Sequence, residues 1–203
     1  MKTKDKIINS SIELFNRSGI SAVTTNHIAK ELKISPGNLY FHYENKEEIL
    51  RDIFVLMCNE NYKIWSVSKK NKGKDPIACI EQAFEVFWRY RFFHREMYYV
   101  RRRDVLLNKM WKAHIDKIVK MMTLTYRRWI KNGWVRKIDS EKETDFIVSV
   151  LLATASTFFH FFESAERQPL KKNVEVGKKY IARLLFPYTE GATRDTFQHY
   201  IDN

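Results

Sequence analysis

Apolar residues recur at helical spacing from the start of the chain. Ile8, Ile12 and Phe15 stand at positions i, i+4 and i+7, with polar residues between them. This spacing predicts an amphipathic helix over residues 5–18. Gly19 follows where a left-handed backbone costs least, so the helix is expected to end there.

A second helix is predicted directly after this break. The run Thr24-Thr25-Asn26 offers capping side chains for its first turn. Ile28, Ala29 and Leu32 then fall on its inner side. Ala29 is small, which lets a following helix cross closely.

A third, short helix is predicted between two start signals. Ser35 before Pro36 marks its beginning, because serine accepts from an early backbone N–H and proline lacks one. Asn45, followed by Glu47 and Glu48, marks the beginning of the next helix, where the helix dipole favours acids. About two turns fit between these signals, too few to be stable alone. Residues 24–43, braced by the helix over 5–18, therefore have the helix-turn-helix pattern, with an expected core of Ile28, Leu32, Ile34 and Leu39.

The rest of the chain continues with helical periodicity and shows no alternating strand pattern. The expected fold class is therefore all-α, an N-terminal three-helix helix-turn-helix domain followed by a helical body. A polar loop is expected over 66–74, an irregular segment over 89–104 and a break at Pro169. The predicted helices are 44–65, 75–88, 105–132, 141–164 and, as the last, about 173–186.

An uncharged run of apolar character lies within the helix over 141–164. Residues 146–162 carry no charge, but the run is slightly shorter than the about 20 residues that span a bilayer. It also contains serine, threonine and histidine. It is interpreted as a buried helix rather than a membrane span.

The charge of the chain is +12, from 36 Lys and Arg against 24 Asp and Glu, and it is unevenly placed. Residues 1–50 hold seven basic and six acidic residues, whereas residues 89–137 hold fifteen basic and three acidic ones. Three interpretations of the basic segment stay open. It is a solvated helix face, a source of long-range attraction to DNA, or the binding site of an acidic effector.

Composition and motifs argue against several function classes. Cys58 and Cys79 form no CxxC pair, which favours a reducing compartment such as the cytoplasm. The N-terminus lacks the sustained apolar run of a signal peptide. His94, His114 and His160 are isolated from other ligand types, so no metal or cofactor is expected. No Ser/His/Asp order, P-loop or HExxH motif is present, and the chain is not expected to be an enzyme.

Several positions within residues 5–55 agree in order and spacing with a known family. They are Gly19, Thr24-Thr25, Ile28-Ala29, Ile34-Ser35, Gly37-Asn38-Leu39-Tyr40, His42 and Asn45-Lys46-Glu47-Glu48. In this motif the chain resembles the TetR family of bacterial transcriptional regulators. The remaining residues match that family only in helical layout.

The resemblance implies a ligand-responsive regulator, most simply a repressor. It would bind a palindromic operator in double-stranded DNA as a homodimer and be released by a small-molecule effector. The implied division is a DNA-binding domain over 1–46 and an effector-binding and dimerisation domain over 47–203. The alternative is an activator or a protein-interaction adaptor of the same fold without effector-controlled repression.

Carried over by position, the resemblance also implies which residues meet DNA. Thr25, Asn26 and Lys46 are expected at the phosphate backbone, and Tyr40 and His42 at phosphate or a base edge. The alternatives are packing within the small domain for the two rings and a solvated charge for the lysine. The complete predicted set is Thr25, Asn26, Ser35, Pro36, Gly37, Asn38, Tyr40, Phe41, His42 and Lys46.

One position of this set departs from the family pattern. The family often has Tyr-Tyr-His-Phe where this chain has Tyr40-Phe41-His42-Tyr43. Phe41 has no hydroxyl to donate, so an apolar contact with a thymine methyl is expected there.

The body is expected to hold the effector and the dimer contact. Its aromatic residues are candidates for lining an apolar pocket for an apolar or amphipathic effector. The helices over 141–164 and 173–186 are expected to form a four-helix bundle between two subunits. The preferred ligand-binding candidates are Trp65, Trp88, Tyr99, Trp111, Tyr126 and Phe158.

Overall fold

The computed structural model describes residues 2–66, 73–138, 140–163 and 171–203, and within them the regular elements are helices. Val135 and Thr189 pair through a single antiparallel bridge, and this part of the chain contains no β-strand. The all-α prediction is confirmed. The helices are α1 (Thr3–Ser18), α2 (Thr25–Glu31), α3 (Pro36–His42), α4 (Lys46–Ile64), α5 (Pro76–Arg89), α6 (Arg91–Arg103), α7 (Val105–Lys131), α8 (Glu141–Glu163), α9 (Lys171–Leu185) and α10 (Gly191–Asp202).

The chain divides into two compact units. The first contains the chain up to Asn59 together with Arg89–Trp111, and the second contains Glu60–Trp88 and Lys112–Asn203. The long helices α4 and α7 contribute residues to both units. These units do not coincide with the predicted division after residue 46, which rests on function and stays a prediction.

The caps expected for the early helices are confirmed. The Thr24 hydroxyl accepts from His27 N, and the Ser35 hydroxyl accepts from Asn38 N at 3.2 Å. Asn45 Oδ1 accepts from Glu48 N at 2.9 Å in the first turn of α4. Each short helix therefore begins where a side chain satisfies an otherwise unpaired backbone N–H.

The core of the first unit is built mainly from the predicted inner positions. Ile28 and Leu39 are fully buried, whereas Leu32 and Ile34 are only half-buried. The Phe15 ring of α1 packs on the Phe92 ring of α6, with centroids 5.3 Å apart. Burial of these side chains supplies the support that α3, at seven residues, lacks by itself.

Helix α6 corrects the expectation of an irregular segment over 89–104. Three of its apolar side chains, Phe92, Phe93 and Met97, are buried on one face. The side chain of Asn16 donates to Arg89 O at 2.8 Å and accepts from Phe92 N at 3.2 Å. These bonds join the end of α1 to the end of α5 and to the start of α6, across 73 and 76 residues of sequence. Contacts over such separations cannot be read from the local sequence.

The second unit contains α5, most of α7, and α8 to α10. The expected helix over about 173–186 spans Lys171–Leu185, but it is not the last one. A 3-10 turn, Phe186–Tyr188, and α10 follow. Phe197 and Ile201 of α10 are buried, and its start at Gly191 has no side-chain cap. Because α10 has only these two buried residues and no capping side chain, the sequence pattern did not predict it.

The uncharged run over 146–162 is only partly buried. Ile147, Val148 and Leu151 are buried, whereas Phe146 is 66% exposed. The side chains of residues 159–162 lie outside the described set, as do residues 67–72 of the expected loop and the expected break at Pro169. No helix among the described residues combines the length and apolarity needed to cross a membrane.

A buried lysine ties α5 to α9 in the second unit. The Lys178 ammonium lies 2.6 Å from Glu81 Oε2 and 2.9 Å from Glu175 Oε1, and the Tyr200 hydroxyl donates to Glu81. Burial disfavours the ammonium, but its hydrogen bonds to the two carboxylates outweigh burial and raise the pKa of Lys178. Burial alone would raise the pKa of Glu81, but the hydrogen bonds from Lys178 and Tyr200 have the larger combined effect and lower this pKa. The cluster is therefore charged on both sides at neutral pH.

Gly177 allows the close packing of α9. A Cβ at this position would overlap the Phe84 ring and would lie 2.8 Å from Phe158 Cε1, closer than van der Waals contact allows. Gly177→Ala is therefore expected to destabilise the protein by about 1–3 kcal/mol, because two buried rings would have to move. Urea unfolding measures the loss. Gly37→Ala is the matched control, since a Cβ there would meet only Ser35 Oγ at 4.0 Å. Equal stability of the two variants would contradict the prediction.

Candidate functional site

The start of α3 is an exposed surface. Ser35, Pro36, Gly37 and Asn38 are all exposed, and the Ser35 cap fixes the first turn. Gly37 is surrounded by open space apart from Ser35 Oγ, so packing does not require a glycine there. The start of α3 is therefore accessible to close approach by another molecule.

Three contacts hold α3 in place from behind. Leu39 is fully buried, and the Tyr43 hydroxyl donates to Asp52 Oδ2 of α4 at 3.0 Å. Burial, with the hydrogen bond to Asp52, raises the pKa of Tyr43, which keeps this hydroxyl a donor at neutral pH. The Thr25 hydroxyl lies 3.1 Å from the Tyr40 hydroxyl, joining α2 to α3. Two of the residues predicted at phosphate are thus brought together.

The far turn of α3 displays aromatic surface. Phe41 is 84% exposed and Tyr40 is 48% exposed, while His42 is half-buried. The Phe41 ring meets the His42 ring edge-on, with centroids 5.2 Å apart. The contact of Phe41 with a thymine methyl stays a prediction, and its exposure makes the contact accessible.

Lys46 points toward the preceding loop. Its ammonium donates to Ile20 O at 2.7 Å and to Val23 O at 2.8 Å. These two bonds fix the loop between α1 and α2 against the start of α4. An ammonium has three donors, so one is left for another partner, and the phosphate contact of Lys46 stays a prediction.

A cavity lies within the second unit, between α4, α5, α7, α8 and α9. Its volume is about 40 Å³. The Trp65 indole N–H donates to Asn61 Oδ1 and that of Trp129 donates to Lys74 O, so the ring faces left to the cavity are apolar. The lining residues are Asn61, Trp65, Ile80, Ala83, Phe84, Phe87, Ile118, Met122, Trp129, Leu151, Leu152, Ala155, Ile181 and Leu185.

Of the six preferred ligand-binding candidates, one lies in the wall of this cavity, namely Trp65. Phe158 packs behind the wall on Phe84, with ring centroids 6.0 Å apart, and Tyr126 packs on Trp129 at 5.9 Å. Trp88 is half-buried outside the lining. Tyr99 and Trp111 belong to the other unit. An aromatic residue alone does not indicate the cavity, because most aromatic residues here build core.

The residues that sequence reasoning missed are the aliphatic and phenyl side chains of the wall. Phe84, Phe87 and Ile118 carry no chemistry that marks them as ligand contacts. Asn61 is different, since an asparagine only 5% exposed in an apolar stretch needs a partner. Its spacing of four residues from Trp65 was the available signal.

The thiols and imidazoles that the structure describes show no arrangement for metal binding. Among the described residues, no three His, Cys, Asp or Glu side chains are grouped as ligands. Both cysteines are free and buried, and burial raises the pKa of Cys79 to about 12. Such a thiol is protonated and unreactive at neutral pH.

Two family models match the chain. Residues 7–53 match the model described as "Bacterial regulatory proteins, tetR family", and residues 66–197 match "Bacterial transcriptional repressor". The first match contains α2 and α3. The second covers more than half of the chain and contains the cavity-lining helices α5, α7, α8 and α9.

Known proteins are similar to all or part of the chain. IcaR, the negative transcriptional regulator of the biofilm operon icaADBC in Staphylococcus epidermidis, is 30% identical over 77% of this chain and 82% of its own length. The regulator QacR of Staphylococcus aureus is 43% identical over 39% of this chain and 38% of its own. A TetR-family regulator from Marinobacter aquaeolei aligns over 100% of this chain and 98% of its own, with a TM-score of 0.89 and 27% identity. The chain therefore belongs to the TetR family of DNA-binding transcriptional regulators.

Proposed function

We propose that the protein is a repressor that binds a palindromic operator as a homodimer and leaves it when a small apolar molecule occupies the cavity. The exposed start of α3 carries this proposal. A surface that includes an unconstrained glycine and an 84% exposed phenyl ring fits the major groove, which admits a helix and offers thymine methyl groups. Repression, rather than activation, is supported by the negative regulator IcaR among the relatives.

An exposed apolar stripe supports the homodimer. Val176, Tyr180 and Leu184 stand at i, i+4 and i+8 on α9 and are 39%, 49% and 40% exposed. Such a stripe is unfavourable in water and is the usual seam between two helices of partner subunits. A second copy of the same stripe is the simplest cover, because a two-fold interface is self-complementary.

The cavity supports an apolar effector. Its lining, as far as the described residues form it, contains no Lys, Arg or His, so the basic segment over 89–137 supplies no cation to the wall. At about 40 Å³ it is far smaller than the about 300–1,000 Å³ of typical ligand pockets. An effector must therefore widen it by moving the helices that form the wall, and this movement would favour one conformation over another.

Titration of the DNA upstream of the gene tests the proposal. Fluorescence anisotropy should detect specific binding of a two-fold symmetric site by two chains, with affinity above that for a scrambled duplex. Apolar compounds should then release the DNA and raise the melting temperature of the protein. Equal affinity for both duplexes would refute operator recognition, and specific binding that no compound reverses would refute the effector.

The second candidate function is that of an activator or an adaptor of the same fold. The same titration separates the two. An adaptor leaves both duplexes unbound, whereas an activator binds specifically and raises rather than lowers transcription from a reconstituted promoter.

A further inference from the structure

The basic charge of the first unit is concentrated on α6 and not on the helix-turn-helix. Residues 89–111 hold seven Lys and Arg against two acids, whereas residues 1–50 hold seven against six. Both acids of the α6 segment are engaged. Glu96 accepts from Ile20 N at 3.0 Å, and Asp104 pairs with Arg51 at 3.0 Å and accepts from Leu107 N. The remaining charge on this segment is therefore positive.

The three consecutive arginines at the end of α6 have different surroundings. The Arg101 guanidinium lies 4.9 Å from the centre of the Trp111 ring, and its Nε is buried. Arg102 donates to the Tyr98 hydroxyl at 3.3 Å and lies over the same ring. Arg103 is exposed and has no hydrogen bond or ion pair with the part of the chain that is described. Of these three arginines, Arg103 is the exposed one whose guanidinium makes no hydrogen bond within the described residues, whereas one nitrogen of the exposed Arg102 is engaged.

Arg103 lines a groove together with elements of the helix-turn-helix. The groove has a volume of about 240 Å³, and its wall includes Ser21, from the loop before α2, and Lys46, the first residue of α4. Both elements adjoin the surface of α2 and α3 proposed to meet DNA. The Lys46 ammonium uses two of its three donors on Ile20 O and Val23 O. Arg103 is the other cation in the wall of the groove, and its guanidinium has no hydrogen-bond acceptor among the described residues.

We propose that Arg103 of α6 binds a phosphate of the DNA that α3 reads, so that the DNA-binding surface extends beyond the helix-turn-helix. Arginine suits this role because its guanidinium stays charged and presents a planar set of donors that matches phosphate oxygens. The wall of the groove also contains three carboxylates, those of Glu47, Glu96 and Asp104, so the groove is not a general basic patch. The proposed contact is therefore confined to one phosphate on the exposed Arg103. The inference rests on the proposed operator binding.

The salt dependence of operator binding tests the contact. Each phosphate contact contributes about 0.9 to the slope of log K against log salt concentration. Arg103→Gln should lower the magnitude of that slope by about 0.9 for each head. Arg101→Gln removes the same charge two residues away and is the matched control, with Arg102→Gln as a second control if the first lowers the melting temperature.

Each result of the salt series decides the matter. A reduced slope for Arg103→Gln alone supports the contact. Equal reductions for the arginine variants would indicate long-range attraction and overturn it, and unchanged slopes for all of them would overturn it as well. Failure of the wild type to bind the operator would instead refute the proposed function, so the two failures are distinguishable.

Discussion

Gly37→Val is expected to remove specific operator binding while leaving the folded protein as stable as before. A Cβ added at Gly37 would meet only Ser35 Oγ, at 4.0 Å, and the position is exposed, so the free protein has room for a side chain there. The same side chain would stand between the start of α3 and the floor of the groove. Misplaced base contacts cost about 1–3 kcal/mol each. With two heads in the proposed dimer, the loss should be about 2–6 kcal/mol, or at least about thirty-fold in affinity.

Gly37→Ala is an intermediate test of this prediction, because it adds a smaller side chain than valine. Alanine favours a helix by about 1 kcal/mol over glycine, so the variant should be slightly more stable and should bind with an intermediate loss. Operator titration and urea unfolding on the same preparations separate the two effects. Wild-type affinity for Gly37→Val would mean that the start of α3 does not enter the groove. Loss of both affinity and stability would mean that Gly37 serves the fold.

The surface of α3 was predictable because its determinants are local. The helix caps are formed by Ser35, Asn45 and Thr24, each of which accepts from the backbone N–H three residues later. A short stretch of sequence is therefore enough to predict them. The same holds for the exposure of Gly37 and Asn38, which follows from their place in the first turn. The partners of Lys46 were not predictable, because Ile20 and Val23 lie more than twenty residues earlier.

The cavity and the long-range contacts of α6 were not predictable, because both depend on residues far apart in the sequence. The start of α6 is fixed by Asn16, which accepts from Phe92 N and donates to Arg89 O at the end of α5. The cavity is the space that remains where five helices pack. The cavity leaves no periodic pattern in the sequence, whereas α6 does have an apolar face, formed by Phe92, Phe93 and Met97, among its basic residues. Charge counting was informative in a different way. It located the excess on residues 89–137, but contacts were needed to distinguish Arg103 from Arg101.

A buried histidine should make the protein sensitive to acid. His114 of α7 is 6% exposed, and its Nδ1 lies 3.0 Å from the Tyr62 hydroxyl. Burial, aided by the positive charge of Lys117, lowers the pKa of His114 to about 4. Lys117 also lies over the Tyr62 ring, with its ammonium 3.9 Å from the ring centre. The folded protein therefore keeps this imidazole neutral where an unfolded chain would protonate it, at about pH 6.5.

The direction of the effect follows from which state binds the proton. Above about pH 6.5 both states are neutral at His114 and the histidine contributes no pH dependence. Between about pH 6.5 and 4, His114 binds a proton in the unfolded chain but not in the folded chain. The free energy of unfolding therefore falls as the pH falls. The loss attributable to His114 approaches about 3 kcal/mol near pH 4, at about 1.4 kcal/mol per pH unit.

His114→Gln isolates this contribution. Glutamine keeps a polar group for the Tyr62 hydroxyl but does not titrate, so the variant should lose about 3 kcal/mol less than the wild type between about pH 7 and 4. Carboxylates titrate in both proteins and cancel in the difference, which makes the pair of urea unfolding series specific for one side chain. Parallel curves would show that His114 is protonated in the folded state, and the neutral imidazole inferred from its burial would then be wrong.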